Sequence, residues 1–411
     1  MEASQMLVHR TLLAIAGALV VAPGAAASAS TARVTPDGQQ ARPARTPAAV
    51  RAAPAVADPM EAEAWHLATD TPMGIRTAWQ RVRDSDVIVA VLDSGIDLTH
   101  PDLAPNLWTN AGEIPGNRID DDRDGVVDDV HGVDLVGRDG DPADDNGHGT
   151  HVAGIIGARG GNGEGASGVA WRVRLMAVKV LDRRASGTTG NVAQGIRYAV
   201  AHGARIINVS LAGPIATPDL VDAVEDARAA GVLVVAAAGN AHQDLGLLPS
   251  YPASLRAANV LGVAATTEQG LLSLLSSFGT GVDLSAPGDA ILSTALGGGY
   301  EYRSGTSMAA PMVAGAAALL LAVNPAADAV GVAAALAGSA RRTGLPVGAG
   351  ALDVGRALGG GVPTVAAPAR AQAKKKVAVP RKVKQRARKK AKKRTATSKT
   401  SARKRVKATT K

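Results

Sequence analysis

The chain has 411 residues, of which 46% are hydrophobic but only 2% aromatic, so alanine, valine and leucine must fill its core. This length suffices for one large α/β domain with tails, and the lack of cysteine excludes disulfide bonds and thiol catalysis. The formal net charge is +9, but it is unevenly distributed. Residues 370–411 contain 20 Lys and Arg and no Asp or Glu, so residues 1–369 carry a net charge of −11.

The N-terminus has the pattern of a secretory signal. Basic residues precede an apolar run from Leu12 to Ala22, and small residues over 27–29 offer a cleavage site. The run is shorter than the roughly 20 apolar residues that a membrane span needs. We therefore predict a signal peptide over residues 1–29, a disordered Ala/Pro-rich pro-segment or linker over 30–60, and export without a transmembrane anchor.

The first strand signal is the continuous apolar run Val87–Leu92. An apolar run without alternation indicates a strand that is buried on both faces of a parallel sheet. Asp93 follows at its carboxyl end, the edge at which such sheets carry their functional sites. Asp93 is therefore a candidate catalytic residue.

An acidic stretch further along the chain suggests a metal site. Asp120, Asp122 and Asp124 stand in the pattern D-x-D-x-D-G, and their oxygens suit Ca²⁺. The twelfth position is not the glutamate of an EF-hand, so Asp128 or Asp129 would complete the site. Repulsion among these carboxylates favours a bound cation, whereas the alternative is a solvated acidic turn. The predicted ligands are Asp120, Asp122, Asp124 and Asp128.

His148 lies among glycines in the motif Asn146–Gly154, where an Ala/Ile/Gly helical pattern begins. It is the second candidate catalytic residue. A second acidic cluster directly precedes it and consists of Asp139, Asp141, Asp144 and Asp145.

Strands and helices alternate through the rest of the body. This repetition with short connections predicts an α/β fold with a doubly wound, mostly parallel sheet flanked by helices, between disordered N- and C-terminal extensions. The predicted catalytic domain covers residues 61–359. The further strand-like runs are Leu175–Leu181, Arg205–Leu211, Val232–Ala238 and Asn259–Ala265, and the helical patterns are His151–Ala158, Asn191–His202, Pro218–Ala230, a helix from Ser307 and one around Ala326–Ala340.

The stretch Gly305–Pro311 opens the apolar helical run Met312–Val323, so Ser307 lies at or near a helix N-terminus. Unpaired backbone N–H groups and the helix dipole favour developing negative charge at such a position. A plain N-cap serine is the alternative.

With these three motifs in the order Asp93, His148, Ser307, the chain resembles the subtilisin-like serine proteases (subtilases, peptidase S8 family) of the secreted bacterial type. The resemblance extends from about Ala64 to Gly359. It implies a serine endopeptidase whose Asp-His-Ser triad hydrolyses peptide bonds through an acyl-enzyme. Its substrates would be proteins or peptides, with a broad or apolar preference, and related proteins often bind structural calcium.

The resemblance also covers the oxyanion hole and the substrate cleft. Asn240 ends the family sequence Ala-Ala-Gly-Asn, and its amide would hold the oxyanion together with the Ser307 N–H, although an ordinary Gly-Asn turn is the alternative. The stretch from Ser210 resembles the strand that pairs with an extended substrate, with Ala212 where the family has glycine. The implied substrate-binding residues are Ser210, Leu211, Ala212, Ala237, Ala238, Gly239 and Ser250.

The predicted tail, residues 360–411, carries blocks of like charge that repel one another and indicate disorder. Residues 370–411 would bind a polyanion, either nucleic acid or an anionic cell-envelope polymer, through counterion release. The alternative is a solvated tail that tunes solubility or binds the acidic body. A rival function is therefore an inactive or weakly active protease-fold scaffold that binds polyanions. We expect a secreted monomer, either free or retained at the cell envelope.

Overall fold

The computed structural model describes residues 57–68, 71 and 73–360. The predicted signal peptide, most of the predicted linker and the basic tail therefore lie outside the described residues. The strands of the described part are β1 (Asp84–Asp93), β2 (Gly132–Asp134), β3 (Arg172–Lys179), β4 (Ile206–Val209), β5 (Leu233–Ala237), β6 (Val260–Thr266), β7 (Leu284–Pro287), β8 (Ile291–Ala295), β9 (Gly299–Arg303) and β10 (Gly350–Ala351).

Helices cover both faces of the sheet. Two 3-10 turns, Trp65–Leu67 and Ala104–Asn106, accompany them. The α-helices of the described part are α1 (Ile75–Trp79), α2 (His148–Gly157), α3 (Thr189–Ala201), α4 (Pro218–Ala229), α5 (Thr306–Val323), α6 (Ala329–Ser339) and α7 (Val354–Gly360).

Eight strands form one sheet in the order β10-β7-β6-β5-β4-β1-β3-β2, and all of its pairings are parallel. The strand β1 pairs with β3 on one side and with β4 on the other, so the chain builds the sheet outward in both directions from β1. The prediction of a doubly wound, mostly parallel sheet flanked by helices is confirmed. Such a reversal opens a crevice at the carboxyl ends of the strands beside it.

The residues of β1 alternate between two cores. Val89 and Val91 pack into the cluster that contains the buried residues of α5 and α2. Ala90 and Leu92 pack into the cluster with α3 and α4. Because both faces of β1 are buried, its residues form a continuous apolar run. This run is the pattern that predicted the strand from the sequence.

The helix α5 passes through the centre of the fold. It is the one helix of the described residues that is long and apolar enough to cross a membrane, and 89% of its apolar window is buried inside the protein. Its apolar character therefore matches a core helix. Its N-terminus lies at the carboxyl edge of the sheet, because Ser210, directly after β4, contacts Ser307.

The segment before β1 packs onto the body. The buried carboxylate of Asp58 accepts hydrogen bonds from the backbone N–H groups of residues 161–163 at 2.8 to 3.0 Å. The indole of Trp65 donates to Asp289 O at 3.1 Å, and that of Trp79 donates to Val169 O at 2.9 Å. The segment before β1 is therefore held against residues 161–169 and against the turn before β8.

Candidate active site

Asp93 and His148 meet at the carboxyl end of β1. His148 Nδ1 donates to Asp93 Oδ1 at 2.7 Å. A carboxylate only accepts, so Nδ1 carries the proton and Nε2 of the neutral ring keeps its lone pair. The Asp93 side chain is fully buried, and its Oδ2 has no hydrogen-bond partner within the described residues. The pair therefore presents a basic nitrogen backed by a buried negative charge.

Opposing effects set the basicity of His148. Burial lowers its pKa, but the charge of Asp93 and the hydrogen bond to it outweigh burial, so the pKa lies above the ordinary value of a histidine. The charge of Arg303 also lowers the pKa of His148, whereas the charge of Asp144 also raises it. A base with a raised pKa accepts a proton more readily, and its neutral form is lost at a higher pH than that of an ordinary histidine.

A glycine allows α2 to begin directly against β1. A Cβ on Gly149 would lie 2.1 Å from the carbonyl oxygen of Gly95 and 3.0 Å from the Cβ of Asp93. Gly147, the N-cap of α2, has φ of +95°, which L side chains rarely adopt. The glycines around His148 therefore set its distance from Asp93.

Ser307, the second residue of α5, exchanges two hydrogen bonds with Ser210. Ser307 Oγ donates to Ser210 O at 3.0 Å, and Ser210 Oγ donates to Ser307 O at 2.9 Å. Pro311 lacks the N–H that would bond the Ser307 carbonyl within the helix, which leaves this carbonyl free for Ser210. Throughout the described residues, no hydrogen bond joins Ser307 Oγ to His148, and none uses the Ser307 N–H.

Thr306 orients the side-chain amide of Asn240. Asn240 Oδ1 accepts from Thr306 N at 2.8 Å and from Thr306 Oγ1 at 3.0 Å. Because a backbone N–H only donates, the atom that faces it is the oxygen, so Nδ2 points away from Thr306. Nδ2 makes no hydrogen bond with the described part of the chain. The sequence analysis missed Thr306, although it directly precedes Ser307.

The predicted substrate strand leaves the sheet after β4. None of the backbone hydrogen bonds among the described residues uses the N–H or C=O of Leu211 or Ala212. Gly213 and Tyr251 exchange two backbone hydrogen bonds, of 3.0 and 2.8 Å, which fix the far end of the segment. Free backbone groups on a short extended segment can pair with an extended peptide.

Three small side chains surround Gly239. A Cβ built there would lie 3.4 Å from Ser250 Oγ, 3.6 Å from Ala212 Cβ and 3.6 Å from Ser277 Oγ. Ser277 Oγ is buried and has no partner in the described structure. Ser277 was outside the predicted set and could be found only once the fold brought it beside Gly239.

Two other predicted pocket residues face elsewhere. The side chain of Ala237 packs into the main core, and that of Ala238 packs into a small cluster with Leu245, Ala264 and Val282. Both are almost fully buried. They shape the cleft through the backbone that delivers Gly239 and Asn240.

The acidic loop brings carboxylates together. Ligand atoms of Asp122, Asp124 and His202 all lie within 4.8 Å of one another, and so do those of Glu113, Asp122 and Asp129. Asp122 and Asp124 were predicted ligands, whereas Glu113 and His202 were not. His202 follows α3, 78 residues after Asp124 along the chain, so no local pattern could reveal it.

The other two predicted ligands, Asp120 and Asp128, lie outside both groups. The Asp128 oxygens accept from the N–H groups of Gly116 at 2.8 Å and Arg118 at 2.9 Å. Asp120 Oδ2 accepts from Gly125 N at 3.1 Å, while its Oδ1 is buried without a partner among the described residues. The backbone of the loop therefore uses most of the oxygens that the sequence analysis assigned to the metal.

Negative charge in the loop is only partly balanced. Burial, and in addition the charge of Asp122, raise the pKa of Asp124. Burial, and in addition the charge of Asp124, raise the pKa of Asp129, although Tyr198 donates to that carboxylate. His202 Nε2 lies 3.4 Å from Asp124 Oδ2. A cation with oxygen ligands would relieve this repulsion.

Comparisons with known proteins agree with the fold and the motifs. A family model described as "Subtilase family" matches residues 84–399. A thermophilic serine proteinase of Bacillus sp. (strain AK1) is 44% identical over 233 residues, which are 56% of this chain and 51% of the relative. Thermitase of Thermoactinomyces vulgaris is 40% identical over 243 residues, which are 59% of this chain and 77% of the relative. The chain thus spans about half the length of the first of these relatives.

Solved structures give the same result. A structure described as proteases from Pseudoalteromonas arctica PAMC 21717 matches with a TM-score of 0.63 and 29% identity, over 74% of this chain and 99% of that chain. A cold adapted subtilisin-like serine proteinase matches with a TM-score of 0.55 and 32% identity, over 66% and 89%. Three of these four proteins are described as proteases or proteinases, and none as a polyanion-binding scaffold.

Proposed function

The chain belongs to the subtilase family, and on that premise we propose that it is a secreted serine endopeptidase with the triad Asp93, His148 and Ser307. The observation that carries the proposal is the 2.7 Å hydrogen bond from His148 to the buried Asp93, at the same sheet edge as a serine that opens α5. A buried carboxylate, an imidazole with a free lone pair and a hydroxyl at a helix N-terminus are the parts of a nucleophilic hydrolase.

Acylation begins when the Ser307 hydroxyl turns from Ser210 O toward His148 Nε2. Ser307 Oγ then attacks the substrate carbonyl carbon, and Nε2 takes the hydroxyl proton. Asp93 stabilises the resulting imidazolium, which donates its proton to the leaving amine. Water, activated by the same imidazole, attacks the acyl-enzyme and releases Ser307.

Two N–H groups are proposed to hold the oxyanion. Thr306 occupies Asn240 Oδ1, so Nδ2 is left to donate, and no hydrogen bond within the described residues uses the Ser307 N–H at the start of α5. Donors that are fixed before the reaction stabilise charge that develops only in the transition state. Thr306 therefore supports the oxyanion hole through the orientation of Asn240.

The cleft beside Gly239 favours a broad or apolar preference before the scissile bond. Its neighbours there, Ala212, Ser250 and Ser277, are small and uncharged, and a Cβ built on Gly239 would meet them at 3.4–3.6 Å, an ordinary contact distance. No backbone hydrogen bond among the described residues uses Leu211 or Ala212, so their N–H and C=O groups would hold the substrate as an added strand.

The test is digestion of unfolded casein by the purified wild type and by its Ser307→Ala variant, with the cleavage sites mapped by mass spectrometry. We expect cleavage by the wild type alone, at varied sites that mostly follow uncharged residues. Equal cleavage by both proteins would overturn the proposal, and sites mainly after charged residues would overturn the pocket assignment.

We further propose a structural calcium ion in the acidic loop. The oxygens of Glu113, Asp122, Asp124 and Asp129 fit a hard cation. Asp120 Oδ1, which has no partner among the described residues, supplies another acceptor nearby. The ion would neutralise the loop and fix its path between Trp108 and β2.

Chelation is expected to lower the melting temperature. A ligand that binds only the folded state at about 100 times its Kd stabilises it by about 2.7 kcal/mol, which corresponds to about 5 °C for a domain of this size. The measurement is a thermal melt of the Ser307→Ala protein in calcium and in EDTA. Asp122→Asn should lose this response, and Asp219→Asn, on the remote helix α4, should keep it. Equal melting temperatures in calcium and EDTA would remove the site.

We also propose that the tail, residues 370–411, binds polyanions and retains the secreted enzyme on them. Its 20 basic side chains without an acid support this. Binding of duplex DNA by the full-length Ser307→Ala protein should weaken about 10³-fold or more between 50 and 200 mM salt. Binding that is indifferent to salt, or equally strong after deletion of 370–411, would contradict the proposal.

A further inference from the structure

One oxygen of the Asp144 carboxylate joins the segment after Asp93 to the loop before α2. Asp144 Oδ1 accepts from Ser94 Oγ at 2.8 Å, and Ser94 directly follows Asp93. The same oxygen accepts from Asn146 N at 2.9 Å and from Gly147 N at 3.0 Å. Asp144 Oδ1 therefore contacts Ser94, which follows Asp93, and Gly147, which precedes His148.

The other oxygen holds the first turn of α2. Asp144 Oδ2 accepts from Thr150 N at 2.9 Å and from Thr150 Oγ1 at 2.6 Å. Thr150 Oγ1 in turn accepts from Asp97 N at 2.9 Å, on the segment that follows β1. His148 thus lies between two anchor points, Gly147 and Thr150, that are bonded to one carboxylate.

Ser94 adds a direct link between the same segments. Its Oγ accepts from Gly149 N at 3.0 Å while it donates to Asp144. Residues 142–144 also run along the backbone of Ile96, where Ile96 N donates to Pro142 O and Asp144 N donates to Ile96 O, both at 3.2 Å. The two segments that carry the proposed acid and base are therefore tied together at Asp144.

We propose that Asp144 is a positioning residue for the reaction, because its carboxylate fixes the segment of Asp93 and the first turn of α2 relative to each other. The inference rests on the proposed function, since it assigns Asp144 to the geometry of that triad. A displacement of about 1 Å within such a pair lowers turnover by about 10²-fold. Five donors point at the two oxygens, so Asp144 is not a free ligand of the second acidic cluster.

The charge of Asp144 also reaches His148. Burial of Asp144 would raise its pKa, but the hydrogen bonds from Thr150 and the backbone outweigh burial and hold the pKa below its ordinary value, so the carboxylate stays ionised at neutral pH. The charged or titratable groups that act on His148 are Asp93 and Asp144, which raise its pKa, and Arg303, which lowers it, while His151 on the next turn interacts with it as well.

Asp144→Asn is the sharpest test, because an amide presents one NH₂ where the carboxylate presents a second oxygen. In one orientation the NH₂ faces the backbone N–H groups of Asn146 and Gly147, and in the other it faces that of Thr150. Hydroxyls can rotate, whereas these N–H groups cannot. Either orientation must displace one anchor of His148.

We expect Asp144→Asn to lower kcat about 10- to 100-fold on a short chromogenic peptide, with KM changed less than about twofold. The acidic limb of kcat/KM should move to lower pH, because a negative charge near His148 is lost. Asp145→Asn is the matched control: it removes the neighbouring charge, whose carboxylate is exposed and contacts Lys179. The control should keep kcat within about twofold.

An unchanged kcat and pH profile in Asp144→Asn would overturn the inference, and so would an equal loss in both variants, which would point to charge alone. If Asp144→Asn does not fold by circular dichroism, Ser94→Ala decides, since it removes one arm of the same network: a lower kcat at constant KM supports the inference, and wild-type kcat overturns it. A Ser307→Ala protein with full activity would instead refute the proposed function itself.

Discussion

Ser307→Ala is expected to lower kcat by about 10⁶-fold while the fold persists. This magnitude is that of the corresponding substitution in subtilisin, another member of the family. Without Oγ no acyl-enzyme forms, and His148 has no hydroxyl to deprotonate, so only substrate binding and the oxyanion donors remain. These leave a residual rate of about 10³–10⁴ over water. The measurement is hydrolysis of a chromogenic peptide at saturating concentration.

The loss can be separated from unfolding and from contamination. Ser304→Ala alters a serine three residues away whose Oγ has Ala290 N as its one hydrogen-bond partner among the described residues, so it should retain wild-type turnover. A fluorophosphonate that reacts with activated serines should label the wild type at Ser307 and leave the variant unlabelled. A variant rate within tenfold of the wild type, in a preparation free of labelled enzyme, would exclude Ser307 as the nucleophile.

The parts of the site that sequence could predict are those whose signal is local. Asp93 follows an apolar run that both cores cover, and Ser307 opens a helix that apolar residues continue for nearly five turns. His148 lies among glycines because α2 must begin against Asp93 and the segment that follows β1. In each case the sequence pattern that marks the residue lies within about ten positions of it.

Pro311 also carries a local signal about the carbonyl group of Ser307. A proline four residues after Ser307 leaves the Ser307 carbonyl without its helical partner, and Ser210 then bonds to that carbonyl. The missing hydrogen bond follows from the spacing of Ser307 and Pro311 alone, so it could have been predicted from the sequence. The identity of the partner, from the end of β4, needed the fold.

Other contacts join residues that are distant along the chain. Ser277 reaches the wall of the cleft from 38 positions beyond Gly239, and His202 reaches the acidic loop from the end of α3. The short strands β2, β7 and β10 also escaped prediction, since two to four residues carry too little periodicity to signal a strand. Tertiary contacts, rather than local pattern, determine all of these features.

Asp93→Asn is expected to lower kcat by about 10⁴-fold, which is about a hundredfold less than the loss of Ser307. The hydrogen bonding at Asp93 sets the mechanism of this loss. One oxygen, Oδ1, accepts both from Ser94 N at 2.8 Å and from His148 Nδ1, whereas Oδ2 is buried without a partner among the described residues. Asparagine can therefore keep its Oδ1 in place and put its NH₂ where Oδ2 lies in the aspartate. The Nδ1–H tautomer of His148 then survives.

What asparagine cannot supply is the negative charge. The charge of Asp93 raises the pKa of His148 against burial, so its removal lowers that pKa. The neutral, active form of His148 then persists to lower pH, so the acidic limb of kcat/KM should shift to lower pH. The rate nevertheless falls, because the imidazolium of the transition state has lost its counter-charge. Asp86→Asn, an exposed acid near the other end of β1, should leave both the rate and the profile unchanged. An acidic limb that stays in place or moves upward in Asp93→Asn would show that the charge of Asp93 does not raise the pKa of His148.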